Sequence, residues 1–131
     1  MSRRPAQSRR NAESRGRIAE YWVGFLLLMM GYRRLARRYR TPLGEIDLIA
    51  RRGTTLVMIE VKYRRALGFR RLHYDEVERT APSPASQKRL MRAAEFYRAR
   101  HPHDAELMVR FDLVIVHASG WCWWFRDILR R

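Results

Sequence analysis

A chain of 131 residues with 47% apolar content and four tryptophans has material for one real core but not for two, and is far from the composition of a disordered protein. Its formal charge of +15 and pI near 11.4 favour polyanionic partners, of which nucleic acid is the commonest in a cell. One cysteine, Cys122, excludes an internal disulfide and fits a reducing, cytoplasmic setting.

Residues 1–14 read as a mobile basic arm, leaving 15–131 as a single domain. No secretory signal is expected, because the stretch to Arg17 is polar and Arg-rich. A helix is expected from Arg15 to about Met30, with Gly31 as its stop. Within it, Tyr21 to Tyr32 is apolar throughout but falls short of the roughly 20 residues that span a bilayer. This predicts a buried helix, with a basic membrane-surface helix as the lesser reading. Residues 33–40 read as an Arg-rich strand leading to a turn at Thr41-Pro42-Leu43-Gly44.

Residues 45–51 and 54–63 then read as a hairpin turning at Arg52-Gly53. With Arg51 opposite Thr54, Ile46 faces Ile59 and Leu48 faces Val57, giving one apolar face. The other face carries Glu45, Asp47, Met58, Glu60 and Lys62, with Glu45 opposite Glu60. Asp47 falls opposite Met58 and diagonal to Glu60, at the roughly 7–8 Å of diagonal cross-strand neighbours. Residues 64–86 read as a long Arg-rich, then acidic, loop. Ser83 or Ser86 caps a second helix to about Arg100, with Leu90, Ala93, Ala94 and Tyr97 inward. Arg110 to His117 is a buried strand, and Trp121 to Phe125 a candidate last strand.

An acid followed by Glu60-Val61-Lys62 on the facing strand is a minimal kit for metal-dependent phosphodiester hydrolysis. Mg²⁺, or Mn²⁺ in its place, takes hard oxygen ligands, which Asp47, Glu60 and the Val61 carbonyl supply, with Glu45 as an extra ligand. Lys62 would orient the attacking water or offset charge in the transition state. Of the 28 basic residues only Lys62 and Lys88 are lysines, and Lys, unlike Arg, can lose its proton when desolvated. The plain alternative is a solvated cross-strand ion pair. Arg37, Arg38, Arg40, Arg64, Arg65, Arg70 and Arg71 are candidate phosphate contacts, against the alternative of an ordinary basic surface. His101-Pro102-His103 reads as a solvated helix end. Trp121, Trp123, Trp124 and Phe125 read as packing residues before base-stacking ones. Asp112 reads as a structural partner of Arg110 or a neighbouring turn.

Gly44-Glu45-Ile46-Asp47-Leu48-Ile49-Ala50, Glu60-Val61-Lys62-Tyr63-Arg64 and Arg110-Phe111-Asp112 occur here in that order. With Arg15-Gly16-Arg17-Ile18-Ala19-Glu20, Gly31-Tyr32 and Gln87-Lys88-Arg89-Leu90, they resemble the YraN-like family of uncharacterised bacterial proteins over about residues 15–117. That family is similar to the PD-(D/E)XK nuclease superfamily. The resemblance implies an α/β, restriction-endonuclease-like core of helix, three antiparallel strands, helix and strand, related to archaeal Holliday-junction resolvases. It places Asp47, Glu60 and Lys62 on the signature triad, Glu20 on a helix acid that joins the metal site, and Lys88 on a helix lysine facing the same cleft. Ile46 stands where the superfamily's name has Pro. The expectation is a Mg²⁺-dependent nuclease acting on DNA rather than RNA, including branched or structured DNA, with a homodimer suiting a two-stranded substrate. The alternative is a non-catalytic nucleic-acid-binding or ribonucleoprotein accessory module on the same fold.

Overall fold

In the computed structural model, α1 (Ala6–Met29) begins within the stretch expected to be an arm. Ala, Gln, Arg and Glu dominate residues 6–14 and are good helix formers, so the helix extends toward the N-terminus beyond its apolar part. The structure describes residues 6–64, 82–104 and 106–129, with side chains from Glu13 onward in the first stretch. The helix stops where the sequence says it should. Gly31 adopts φ 86°, its amide donates to the Leu28 carbonyl, and the Tyr32 amide donates to the Leu27 carbonyl. This paired closure needs a left-handed residue, which glycine supplies without strain.

Ala19, Val23 and Leu27, each four residues apart, form the buried stripe of α1. The helix is not buried all round as expected: Ile18, Tyr21, Trp22, Phe25, Leu28 and Met29 are exposed on its other side. One sheet face covers only one side of a helix. Among the described residues, no helix is long and apolar enough to cross a membrane.

Next come β1 (Arg33–Thr41), β2 (Gly44–Arg52), β3 (Thr55–Arg64), α2 (Pro84–Arg100), a 3-10 turn (Pro102–Asp104), β4 (Met108–His117) and β5 (Cys122–Phe125). The five strands form one sheet in chain order, antiparallel except for β3 beside β4. A parallel neighbour needs a crossover connection, and α2 lies in that connection. Ser83 caps α2, accepting from the Ser86 amide, and Pro84 occupies the first turn, where its missing N–H costs nothing. The expected loop falls mostly outside the described residues, and its end, from Pro84, is already helical.

The β2–β3 pairing differs from the expected register by two residues. Arg52 pairs with Thr55, Ala50 with Val57 and Leu48 with Ile59, so the turn is Gly53-Thr54 and Glu45 does not oppose Glu60. Gly53, at φ 61°, supplies the left-handed turn residue. The hairpin also has two apolar faces. Leu48, Ala50, Val57 and Ile59 pack with Ala19, Val23 and Leu27 of α1. Ile46, Ile49, Leu56 and Met58 pack with Ala93, Ala94 and Tyr97 of α2. Ile46 and Leu48, expected on one face, therefore join opposite cores. Strict alternation would keep them together, so the strand breaks its alternation at the residue between them, Asp47.

Candidate functional site

The β2–β3 ladder runs from Arg52–Thr55 to Leu48–Ile59 and stops one residue before Asp47. There the Asp47 carboxylate takes over, and the Val61 amide donates to Asp47 Oδ2 at 2.8 Å. The carboxylate thus sits where β2 parts from β3, with Glu60, Val61 and Lys62 on the strand beside it. Glu60 and Lys62, two apart and so on one face, meet at 3.0 Å. Glu20 reaches the cluster from α1, beside the buried Ala19, and accepts from Arg38 Nε of β1 at 2.8 Å.

The electrostatics of Asp47 follow from this packing. Burial is the main force pushing its carboxyl up from 3.8 to about 6, and the negative charges of Glu20 and Glu60 add to it. The bond from the Val61 amide and the Lys62 charge pull the other way without overcoming it. Arg38 is held even more firmly protonated than usual, chiefly by its hydrogen bond to Glu20, with Glu45 and Asp47 contributing. A cation beside Asp47 would relieve the repulsion that Glu20 and Glu60 exert on it. Asp47, Glu60 and the Val61 carbonyl are hard oxygen donors, and in an extended strand a residue's carbonyl points to the same side as its amide. These are oxygen donors of the type that magnesium and manganese take. Among the described residues no three His, Cys, Asp or Glu side chains converge closely enough to cage an ion.

A cleft of about 230 Å³ opens beside the cluster, lined by Gly44, Glu45, Glu60, Ser86, Arg89 and Leu90. Glu45 of β2 faces its β1 partner Arg40 at 3.6 Å, both well exposed. Lys88 is exposed on α2, and its neighbour Arg89, which sequence reasoning passed over, lines the cleft instead. Ser86, a cap candidate in the sequence, also lines it. A second cleft, of about 150 Å³, lies between α1 and β1 and is lined by Arg17, Glu20, Tyr21, Arg37 and Arg38. The Arg37 guanidinium lies 4.0 Å from the centre of the Tyr21 ring. Arg64 donates to the carbonyl of Tyr63, and Arg65, Arg70 and Arg71 lie outside the described residues.

Several of the other sequence candidates have structural partners. His101 closes α2, stacks on Tyr97 at 4.0 Å between ring centres, and its Nδ1 lies 2.8 Å from the Tyr97 carbonyl. Trp124 packs against the α1-side core and donates to Asp112 at 2.9 Å, whereas Trp121 is exposed. Asp112, 1% exposed, also accepts twice from Arg110 and once from the Asp127 amide.

Over residues 19–116 the sequence matches the model of a family described as Uncharacterised protein family UPF0102. It is 43% identical over 114 residues to a UPF0102 protein of Chelativorans sp. (strain BNC1), covering 87% of this chain and 86% of the relative. It is 42% identical over 121 residues to one from Mesorhizobium japonicum, covering 92% and 90%. A relative from Rhizobium johnstonii is 44% identical over 108 residues, 82% of each chain. The span matched by the family model takes in the segments Gly44–Ala50, Glu60–Arg64, Gln87–Leu90 and Arg110–Asp112, while Arg15 to Ile18 lie before it.

Proposed function

The chain belongs to the UPF0102 family, and we propose that it is a divalent-metal-dependent nuclease of PD-(D/E)XK type that hydrolyses DNA phosphodiester bonds, including those of branched or structured DNA. The observation that carries this reading is Asp47, a carboxylate placed at a break in the sheet against its own ionisation, with Glu60 and Glu20 close enough to oppose it electrically. Folded proteins keep such groups where function requires them more often than elsewhere.

Asp47, Glu60 and the Val61 carbonyl would hold Mg²⁺ or Mn²⁺, with Glu20 assisting from α1. Such an open set suits magnesium, which retains several waters. The cation supplies Lewis-acid polarisation of a phosphate oxygen and acidifies a water. Lys62, which contacts Glu60 at 3.0 Å, would offset charge developing on the phosphate and orient the incoming water. The Val61 amide fixes the Asp47 carboxylate in register. Arg89 lines the cleft beside Glu60, Arg37 lines the α1–β1 cleft, and Arg40 stands beside Glu45; these cations suit a phosphate backbone, with Arg64 as a further candidate contact.

A second reading, a nucleic-acid-binding or ribonucleoprotein accessory module without catalysis, draws on the ion pairs Glu60–Lys62 and Glu20–Arg38. Those pairs already offset much of the acidic charge. Cleavage of linear, nicked, flapped and four-way-junction DNA with Mg²⁺ or Mn²⁺, comparing wild type with Asp47→Ala, separates the two. Metal-dependent cutting that disappears in the variant supports the nuclease. Tight binding with no cutting under either metal favours the accessory module.

A further inference from the structure

Arg38 occupies an unusual place in β1. Its φ is 52°, a left-handed conformation that a bulky L-residue adopts at a cost and keeps only where its surroundings impose it. The β1–β2 pairing passes from Arg37–Leu48 to Tyr39–Ile46, leaving Arg38 and Asp47 as the two residues skipped between them. At this irregularity Arg38 Nε donates to Glu20 Oε2 at 2.8 Å, and the Glu20 side chain is only 11% exposed. A strained backbone thus sets a guanidinium against the least exposed acid of the cluster. Around it the cleft is otherwise basic, with Arg17 and Arg37 beside Tyr21.

Building on the metal-dependent reading above, we propose that Arg38 is a placeholder cation. In the metal-free protein it neutralises Glu20 and, through space, Asp47. A divalent cation arriving at these acids competes for the same negative charge and displaces the guanidinium from Glu20. Released, Arg38 stays in the α1–β1 cleft and contacts a phosphodiester of the nucleic-acid strand, together with Arg17 and Arg37. Guanidinium suits both partners, since its planar fork matches carboxylate and phosphate alike. The exchange links loading of the metal to capture of the strand, with Arg38 as the group that passes from one to the other.

The test measures Mn²⁺ affinity by titration of the full chain without nucleic acid, then affinity for a non-cleavable DNA duplex at saturating Mn²⁺. Wild type is compared with Arg38→Gln, Arg38→Gly, Asp47→Ala and, as a charge-matched control, Arg37→Gln. Glycine accepts the left-handed backbone freely, so Arg38→Gly keeps the fold accessible if glutamine does not. The expected result is Mn²⁺ binding tighter by about tenfold in both Arg38 variants, the scale of two ligands coupled through one group, with DNA binding weakened. Arg37→Gln weakens DNA binding but leaves Mn²⁺ affinity unchanged. Mn²⁺ should also raise the melting temperature of Arg38→Gln more than that of wild type. Unchanged or weaker Mn²⁺ binding in the Arg38 variants, with wild-type binding lost in Asp47→Ala, overturns the placeholder role alone. No Mn²⁺ binding by any of these proteins overturns the metal reading along with it.

Discussion

The Val61 amide of β3 donates to the Asp47 carboxylate of β2 at 2.8 Å, one residue past the last backbone pair between those strands. A side chain thus takes over where the backbone ladder stops. The candidate site lies at the point where the two strands separate, and Asp47 bears the electrostatic cost of standing there.

That cost has a pH signature. The Asp47 pKa lies near 6 in the fold and near 3.8 as its ordinary value, so between those values the folded protein binds more protons than the unfolded chain. Stability therefore falls as pH rises through that window, and the penalty is fully present above it. Asp47→Asn keeps an acceptor for the Val61 amide and removes the charge. It should stabilise the metal-free protein by on the order of 2 kcal/mol at pH 7.5, with the gain shrinking to nothing near pH 4. Urea denaturation at both pH values checks this, and equal gains at the two would rule out the buried-charge account.

Lys62 should be separable from metal binding. Lys62→Met is expected to lower the cleavage rate constant by roughly a hundredfold or more, with Mn²⁺ affinity changed only a few-fold. Lys62→Arg should rescue little, because a planar guanidinium does not substitute for a compact ammonium on a water. Single-turnover cleavage beside metal titration gives both quantities. A proportional loss of the two would instead assign Lys62 to holding the cluster together.

Asp112 should matter for stability rather than chemistry. It accepts from Arg110, Trp124 and the Asp127 amide while almost fully buried. Asp112→Ala leaves the Arg110 charge without its carboxylate and should cost about 3–5 kcal/mol. Trp124→Phe removes one of these bonds and should cost about 1 kcal/mol. Denaturant midpoints of the two variants, measured without metal, test the ranking.

Nucleic-acid binding should be steeply salt dependent, and the arginines should share that dependence. Arg37→Gln and Arg64→Gln should each lower the slope of log affinity against log salt by about one, uniformly across sequences. A variant that alters sequence preference but not slope would indicate base contact in place of phosphate contact.

The sequence led to most of this architecture where local chemistry was decisive. Gly31 ends α1 as expected, Ser83 of the two candidate serines caps α2, and the order of helices and strands from α1 to β4 is the one expected. Asp112 meets Arg110 as read. The β2–β3 register was missed by two residues because Arg52-Gly53 and Gly53-Thr54 are both acceptable turns and an even slip leaves every side chain on its face. The face assignment failed for another reason. Two helices cover the sheet, so Met58 and Ile49 are as buried as Val57, and alternation in a strand covered on both sides says little about direction. The Arg38–Glu20 pair joins residues eighteen apart through an irregular strand, which no periodic pattern reveals.

The parallel pairing of β3 with β4 also shapes how the chain is made. β1, β2 and β3 are joined by tight turns and can pair as soon as they emerge, so Asp47 reaches the Val61 amide through local contacts. β3 must wait for β4, since Thr55 pairs with Met108 roughly fifty residues later, a closure that carries a larger entropic cost. During synthesis, β3 therefore stands as an open edge whose Leu56, Val57, Met58 and Ile59 are apolar on both faces. The half-made protein is the form most exposed to aggregation, and the arrival of Met108–His117 ends that exposure.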